Sequence, residues 1–114
     1  MAQYPLHLDE VFQALADPTR RAVLDRLGSG PASISELAEP FDMALPSFLK
    51  HIRMLESSGW IRTHKSGRVR TCTIEQSRFS DVSDWLAGQR EVWEQRTDRL
   101  EQFVTAPSDR KDRS

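Results

Sequence analysis

The spacing of apolar residues predicts two helices at the start of the chain. Over residues 8–16 the apolar side chains recur every three or four positions, as they do on one face of a helix. A second helix should begin after Asp17, whose carboxylate can accept hydrogen bonds from the first free backbone N–H groups. Pro18 would take its first position, where a missing N–H costs nothing. We expect Gly28 to end this helix in the left-handed conformation.

A short helix and a longer one are predicted next. Ser33 and Glu36 have the spacing of a capping box, in which each side chain accepts a hydrogen bond from the other residue's backbone N–H. Pro40 should stop this short helix, because proline disfavours helical backbone in the residue before it. After a turn, the longer helix is predicted over residues 45–58, and Gly59 ends it.

Two alternating, β-rich segments follow at residues 60–65 and 69–75. Gly67 lies in the three-residue connection between them, which is typical of a β-hairpin. The sequence therefore predicts a mainly α-helical fold with one small hairpin.

The last predicted element is a long helix with an apolar stripe. Apolar residues recur at intervals of three and four between Phe79 and Phe103. A helix of roughly 25 residues would reach about 40 Å, which is longer than so small a domain can cover, so its stripe requires a partner. Residues 1–104 are expected to form one domain, and the polar residues 105–114 a disordered tail.

The composition is that of a soluble globular protein of 114 residues with a net charge of −1. The chain has no apolar run of the about 18 residues that span a membrane and no signal-peptide pattern at its start, which favours a cytoplasmic location. Cys72 is the only cysteine, so no disulfide can form within the chain. The sequence also lacks a recognisable nucleophile elbow, a glycine-rich phosphate loop and a cluster of histidines near acids, so we expect no enzymatic activity.

Positive charge is concentrated in about a quarter of the chain. Residues 46–70 contain six lysines and arginines and one acidic residue, a net charge of +5 in a protein whose total is −1. This segment holds the second helix of a predicted helix-turn-helix and the hairpin that follows it as a wing. A helix enters the major groove of DNA, and a hairpin beside it can reach the phosphates. The pattern predicts binding to double-stranded DNA.

The predicted DNA contacts lie on the longer helix, opposite its apolar face, and on the hairpin. They are Pro46, Ser47, Lys50, His51, Arg53, Lys65, Arg68 and Arg70. Ser47 and Lys50 are placed to touch base edges, and Lys65 and the three arginines to hold phosphates. His51 lies at the margin of the apolar face, where its ring can either donate to a phosphate or pack against the core.

A resemblance to the ArsR-type winged-helix repressors of bacteria is carried by three segments, LADPTRRAVLDRL, ISELAEPFDMALPSFLKHIRMLESSGWI and KSGRVR. The resemblance covers residues 8–103 and is to the branch without metal-binding cysteines. It implies a homodimer that binds an imperfect palindromic operator and represses transcription. The recognition helix would be at about 45–58, with Ser47, Lys50 and His51 facing DNA, and the basic wing at about 62–70. The implied dimer interface joins the first and last helices through Leu8, Val11, Phe12, Leu15, Phe79, Val82, Leu86, Trp93, Leu100 and Phe103.

The residues that bind metal in sensing members of that family are missing here. Those members carry a Cys-x-Cys pair before the turn, or Asp, His and Glu sets on the last helix. This chain reads ELAEPF at the first place and has no histidine at the second. Carboxylates alone suit harder ions than such sensors detect, so we expect no metal site and no cofactor.

One alternative function stays open at the level of sequence, a winged-helix module that binds a protein instead of DNA. Leu45 and Leu49 beside the reading face favour it, as does Ala44 at a helix start where the family commonly has serine. The sequence does not identify the operator, the target genes or an effector. It also leaves open whether the protein represses or activates, and whether Cys72 has a redox role.

Overall fold

The computed structural model describes residues 8–104, which form five helices and three strands. The elements are α1 (Leu8–Leu15), α2 (Pro18–Leu27), β1 (Ala32–Ser33), α3 (Ile34–Ala38), α4 (Leu45–Ser57), β2 (Ile61–Ser66), β3 (Val69–Ile74) and α5 (Gln76–Val104). The chain divides after Phe79 into two compact units. The predicted mainly helical fold with a hairpin wing is confirmed. The predicted tail, residues 105–114, lies outside the described residues.

Both predicted helix caps are present. The Oδ2 atom of Asp17 accepts a hydrogen bond from the backbone N–H of Arg20 at 3.1 Å, with Pro18 following the cap. The capping box is reciprocal: Ser33 Oγ accepts from the Glu36 N–H at 3.1 Å, and Glu36 Oε1 accepts from the Ser33 N–H at 2.8 Å. The bond from Ser33 lowers the pKa of Glu36. The cap partners lie within three residues of one another, which is why local sequence predicts them.

The prediction that Gly28 is left-handed is wrong. Gly28 has a φ of −61°, and its N–H donates to the carbonyls of Leu24 at 3.0 Å and Asp25 at 3.2 Å. The positive φ, +136°, occurs two residues later at Gly30, whose N–H still donates to the carbonyl of Leu27 at 3.0 Å. Helix-like turns therefore continue past Gly28 before the chain reverses.

The three strands form an antiparallel sheet in the order β1-β3-β2. The hairpin connection is one residue shorter than predicted, since Ser66 pairs with Val69 and only Gly67 and Arg68 remain in the turn. Gly67 has a φ of +65°, a conformation that glycine adopts without strain. The strand β1 was not predicted, because two residues are too few to show an alternating pattern.

Trp60 lies in the core of the first unit. Its side chain is 1% exposed, and its Nε1 donates a hydrogen bond to the backbone carbonyl of Val11 at 2.8 Å. The Phe79 ring meets it edge-on with the ring centroids 4.7 Å apart. Trp60, which follows α4, therefore contacts both α1 and the start of α5.

The residues predicted for the dimer interface differ widely in exposure. Val11 and Val82 are buried within the chain, so neither side chain is available at the surface. For Val11 the reason is its place in the core beside Trp60. The half-buried members are Leu8, Phe12 and Leu15. The exposed members are Phe79, Leu86, Trp93, Leu100 and Phe103.

The second unit, as far as the structure describes it, is the part of α5 after Phe79. The whole helix has 29 residues and so extends about 43 Å at ~1.5 Å per residue. Every residue from 86 to 100 is exposed. Trp93 is 65% exposed and Leu100 63%, which is unusual for large apolar side chains on one helix. Among residues 8–104 no helix is both long and apolar enough to cross a membrane.

Candidate nucleic-acid interface

The helix α4 has a buried face and an exposed face, as its periodicity predicts. Its buried residues are Phe48, Ile52 and Leu55, none more than 2% exposed. The exposed residues that were predicted to contact DNA are Pro46, Ser47, Lys50 and Arg53. Because the apolar side chains fix the rotation of α4 on the core, the opposite side chains are held towards solvent. These are the positions from which a helix in the major groove touches bases.

The start of α4 lacks a capping side chain. Ala44 has the extended backbone of an N-cap residue, with φ −65° and ψ 145°, but makes no side-chain hydrogen bond there. Since Pro46 has no N–H and the N–H of Phe48 donates to the carbonyl of Ala44, the N–H groups of Leu45 and Ser47 are those left without a cap side chain. A helix N-terminus with free N–H groups carries partial positive charge, which suits an approaching phosphate.

We expect Ala44→Ser to stabilise the protein by about 1 kcal/mol, because the serine hydroxyl would accept a bond from a free N–H of α4. The matched control is Ala87→Ser, an exposed position inside α5, where the same change should destabilise the helix slightly. Urea unfolding followed by circular dichroism measures both. A destabilised Ala44→Ser variant would contradict the geometry of this cap.

The hairpin carries the other predicted cations, and Lys65, Arg68 and Arg70 are all exposed. Lys65 and Arg70 are cross-strand partners, so two like charges lie opposite each other on one face of the sheet. Such a pair is destabilising unless an anion lies near it. We name the seven exposed residues the basic face; they are Pro46, Ser47, Lys50, Arg53, Lys65, Arg68 and Arg70.

A polar chain connects α4 to the hairpin. The Nη1 of Arg70 donates to Thr63 Oγ1 at 3.0 Å, and Thr63 Oγ1 donates to Glu56 Oε2 at 2.8 Å. Arg53 and Arg70 also line one groove of about 330 Å³. The remaining lining residues of this groove are Ile34, Leu49, Ile52 and Glu56. The structure thus brings together two of the predicted phosphate contacts, from α4 and from β3.

His51 is not a freely exposed contact. Its side chain is 22% exposed, and its Nδ1 lies 3.0 Å from Arg20 Nη1 and 3.7 Å from Asp17 Oδ2. Burial alone would raise the pKa of Asp17, but the Arg20 N–H bond and the charges of His51 and Arg20 lower it. Sequence reasoning missed this cluster, since 31 positions separate Arg20 from His51 and no local spacing relates them.

Arg62 and Cys72 are two further ionisable groups of the hairpin, of which the first is paired and the second is buried. Arg62 pairs with Glu75, whose pKa is lowered by a hydrogen bond from Ser77 and by the Arg62 charge. Cys72 is buried in β3, and burial with the nearby Glu56 carboxylate raises the pKa of its thiol to about 11. Thiolate is the reactive form, so this cysteine is a weak nucleophile. Within residues 8–104 no three His, Cys, Asp or Glu side chains are grouped as a metal site requires.

Comparison with known proteins places this geometry in a family. Residues 15–64 match a profile described as a helix-turn-helix domain. The transcriptional repressor SdpR of Bacillus subtilis is 30% identical over 79 residues, which are 69% of this chain and 88% of SdpR. The crystal structure of an ArsR family transcriptional regulator is 71% identical with a TM-score of 0.77, and the match covers 82% of this chain and 97% of that one. The chain belongs to the ArsR family.

A second solved structure agrees with that assignment. An ArsR-like transcriptional regulator from Rhodococcus sp. RHA1 is 27% identical with a TM-score of 0.76, over 85% of this chain and 92% of the other. This ArsR-family protein is accordingly a DNA-binding transcriptional regulator with a winged helix-turn-helix fold. The helix-turn-helix consists of α3 and α4, and β2 and β3 form the wing. Membership of the ArsR family favours DNA binding over the alternative function, a winged-helix module that binds a protein.

Proposed function

We propose that this ArsR-family protein is a homodimeric repressor, without enzymatic activity, that acts in the cytoplasm on a palindromic operator. In the proposal α4 lies in the major groove and the wing contacts the phosphate backbone. The observation that carries it is the orientation of α4, whose apolar residues are buried while Ser47, Lys50 and Arg53 are exposed on the other side. A helix held in this way presents its polar side chains to a groove without having to leave the core.

The members of the basic face have different roles in this proposal. Lys50 has three donors on a flexible stem and can bond the O6 and N7 atoms of guanine in the major groove. Ser47, one turn earlier on the same side of α4, can bond a neighbouring base edge. Arg53 and the wing cations Lys65, Arg68 and Arg70 hold phosphates and fix the register of the helix on the duplex.

Electrostatics supports a phosphate partner for the wing. Lys65 and Arg70 repel each other across the β2–β3 pair, and Arg70 is linked through Thr63 to an acidic group, Glu56. A phosphate placed between the two cations would remove this repulsion. The arrangement of Lys65 opposite Arg70 is therefore more favourable when DNA is bound than when it is not.

The operator experiment tests this function directly. A labelled duplex from the region upstream of the protein's own gene would be titrated by fluorescence anisotropy at several salt concentrations, beside a shuffled duplex of equal composition. We expect tighter binding to the upstream duplex, and an affinity that falls with salt with a log–log slope of roughly −0.9 per phosphate contact. No binding to any duplex at low salt would overturn the proposal. Selection of bound sequences from random DNA would then identify the operator.

We also propose that two copies pair through the first and last helices. Trp93, Leu100 and Phe103 lie along one stripe of α5 and are all more than 60% exposed. A second copy of the chain presents the same stripe, so a two-fold axis can bury both at once. Pairing would also present two α4 helices to successive turns of one side of the duplex, about 34 Å apart, which matches a palindromic site.

We expect Trp93→Glu to convert the dimer into a monomer, because it places a charge in the middle of the apolar stripe. Gln95→Glu is the matched control, since this exposed residue lies off the stripe and gains the same charge. Light scattering at micromolar concentration should give twice the 13.1 kDa chain mass for the wild type and Gln95→Glu, and the single mass for Trp93→Glu. A monomeric wild type would remove the dimer from the proposal.

A further inference from the structure

Glu56 is the one acidic residue of the segment 46–70, which carries six lysines and arginines. Its side chain is exposed in the last turn of α4. It lines the groove of about 330 Å³ together with Arg53, one turn earlier on α4, and Arg70 of β3. A carboxylate at this place repels the phosphates of any duplex that approaches the two arginines, so its charge alone weakens DNA binding. The bonds that Glu56 makes point to a different role.

Thr63 joins Glu56 to the wing. Its Oγ1 donates to Glu56 Oε2 at 2.8 Å and accepts from Arg70 Nη1 at 3.0 Å. A hydroxyl has one hydrogen to donate and lone pairs that accept, so one threonine makes both bonds at once. Because Lys65 pairs with Arg70, Thr63, two residues before Lys65, is a diagonal neighbour of Arg70 on the same face of the sheet. The polar chain therefore links α4, β2 and β3.

The polar chain holds the guanidinium group of Arg70 in a fixed place relative to α4. A long side chain that is ordered only when it meets its ligand loses rotamer freedom at that moment, and this weakens binding. The guanidinium group has five N–H donors, so bonding Thr63 through Nη1 does not prevent it from bonding a phosphate. Contacts to phosphate set the register of a DNA-binding helix on the duplex. A phosphate bound by Arg70 would therefore determine where α4 lies over the bases.

We propose that Glu56 is a positioning residue for sequence-specific DNA binding, which acts through Thr63 to hold Arg70 of the wing in register with α4. The inference rests on the proposed function, because it needs DNA on the basic face. It gives Glu56 two opposed effects. Its charge lowers the affinity for every duplex, and its bond to Thr63 raises the preference for the operator over other sequences.

Thr63→Val tests the bond without changing any charge. Valine has nearly the shape of threonine and is favourable in a strand, but it has no hydroxyl. We expect the affinity for the upstream duplex to fall about fivefold, and that for the shuffled duplex to stay within about twofold, because a non-specific complex has no register to keep. Thr73→Val makes the same change on the other face of the sheet and should leave both affinities unchanged. A wild-type ratio of the two affinities in Thr63→Val would overturn the inference.

Two substitutions at Glu56 separate its bond from its charge. Glutamine keeps an oxygen that accepts from Thr63, so Glu56→Gln should bind both duplexes about threefold more tightly with an unchanged ratio. Glu56→Ala loses the bond as well, and its ratio should fall to that of Thr63→Val. Adding Thr63→Val to Glu56→Ala should lower the ratio no further, because the bond is already broken. A ratio for Glu56→Gln as low as that for Glu56→Ala would show that charge alone acts, and would also overturn the inference.

The free protein supplies an independent measurement. Nitrogen-15 NMR relaxation of the arginine Nε–H groups reports picosecond to nanosecond motion of each side chain. We expect Arg70 to be more ordered than Arg68 in the wild type, and as mobile as Arg68 in Thr63→Val, with circular dichroism checking that the variant is folded. An Arg70 as mobile as Arg68 in the wild type refutes the role of Glu56 whether or not the protein binds DNA. An ordered Arg70 in a wild type without affinity for any duplex would overturn the inference through the function on which it rests.

Discussion

We expect Trp60→Ala to lower the free energy of unfolding by about 3–5 kcal/mol, the range for removing a large aromatic side chain from a core. The Trp60 side chain is 1% exposed, and nothing smaller than an indole can both fill its site and reach the carbonyl of Val11. Small domains have only about 5–15 kcal/mol of total stability. Such a variant should be partly unfolded at 37 °C and should have lost its DNA binding for that reason.

Trp60→Phe divides this loss into packing and hydrogen bonding. Phenylalanine keeps an aromatic ring against Phe79 but removes the Nε1 donor, which leaves the carbonyl of Val11 without its partner in the core. We expect a loss of about 1–3 kcal/mol from that unsatisfied group, added to the smaller ring volume. Leu45→Ala, at a 53% exposed position of α4, is the control and should change stability much less. Urea unfolding measures all three variants, and a Trp60→Ala protein as stable as the wild type would contradict the described core.

Local sequence predicts the helices of this fold because the signals lie within one or two turns. The Asp17 cap, the box of Ser33 and Glu36 and the apolar periodicity of α4 each involve residues three or four apart. The exposed side of α4 follows from the same periodicity. The exposure of Ser47 and Lys50, the two predicted base contacts, could therefore be predicted from local sequence.

Contacts between distant parts of the chain could not be predicted in this way. Trp60 bonds the carbonyl of Val11, 49 residues away, and the Val11 side chain is buried within the chain. Arg20 and His51 are 31 residues apart, so the contact between their side chains has no signal in the local sequence. The strand β1 exists only because β3 pairs with it. These features depend on packing between elements, which a pattern along the chain does not contain.

Lys50→Ala should lower binding to the operator by about 1–3 kcal/mol at each half-site, the usual discrimination of a good base contact, while leaving binding to a shuffled duplex almost unchanged. The reason is that Lys50 is exposed at the centre of the α4 face, opposite the buried Phe48, Ile52 and Leu55. In a dimer the change occurs twice, so the loss in total operator affinity should be about double.

Arg68→Ala is the matched comparison, because it also removes one exposed cation but at the turn of the wing, where a contact to backbone carries no sequence information. It should weaken operator and shuffled DNA by the same factor and make the salt dependence shallower by about one phosphate contact for each subunit. Anisotropy titrations of both variants on both duplexes at three salt concentrations give the affinities and slopes. Equal effects of Lys50→Ala on the two duplexes, with a shallower slope, would make Lys50 a phosphate contact and leave base reading to Ser47 and its neighbours on α4.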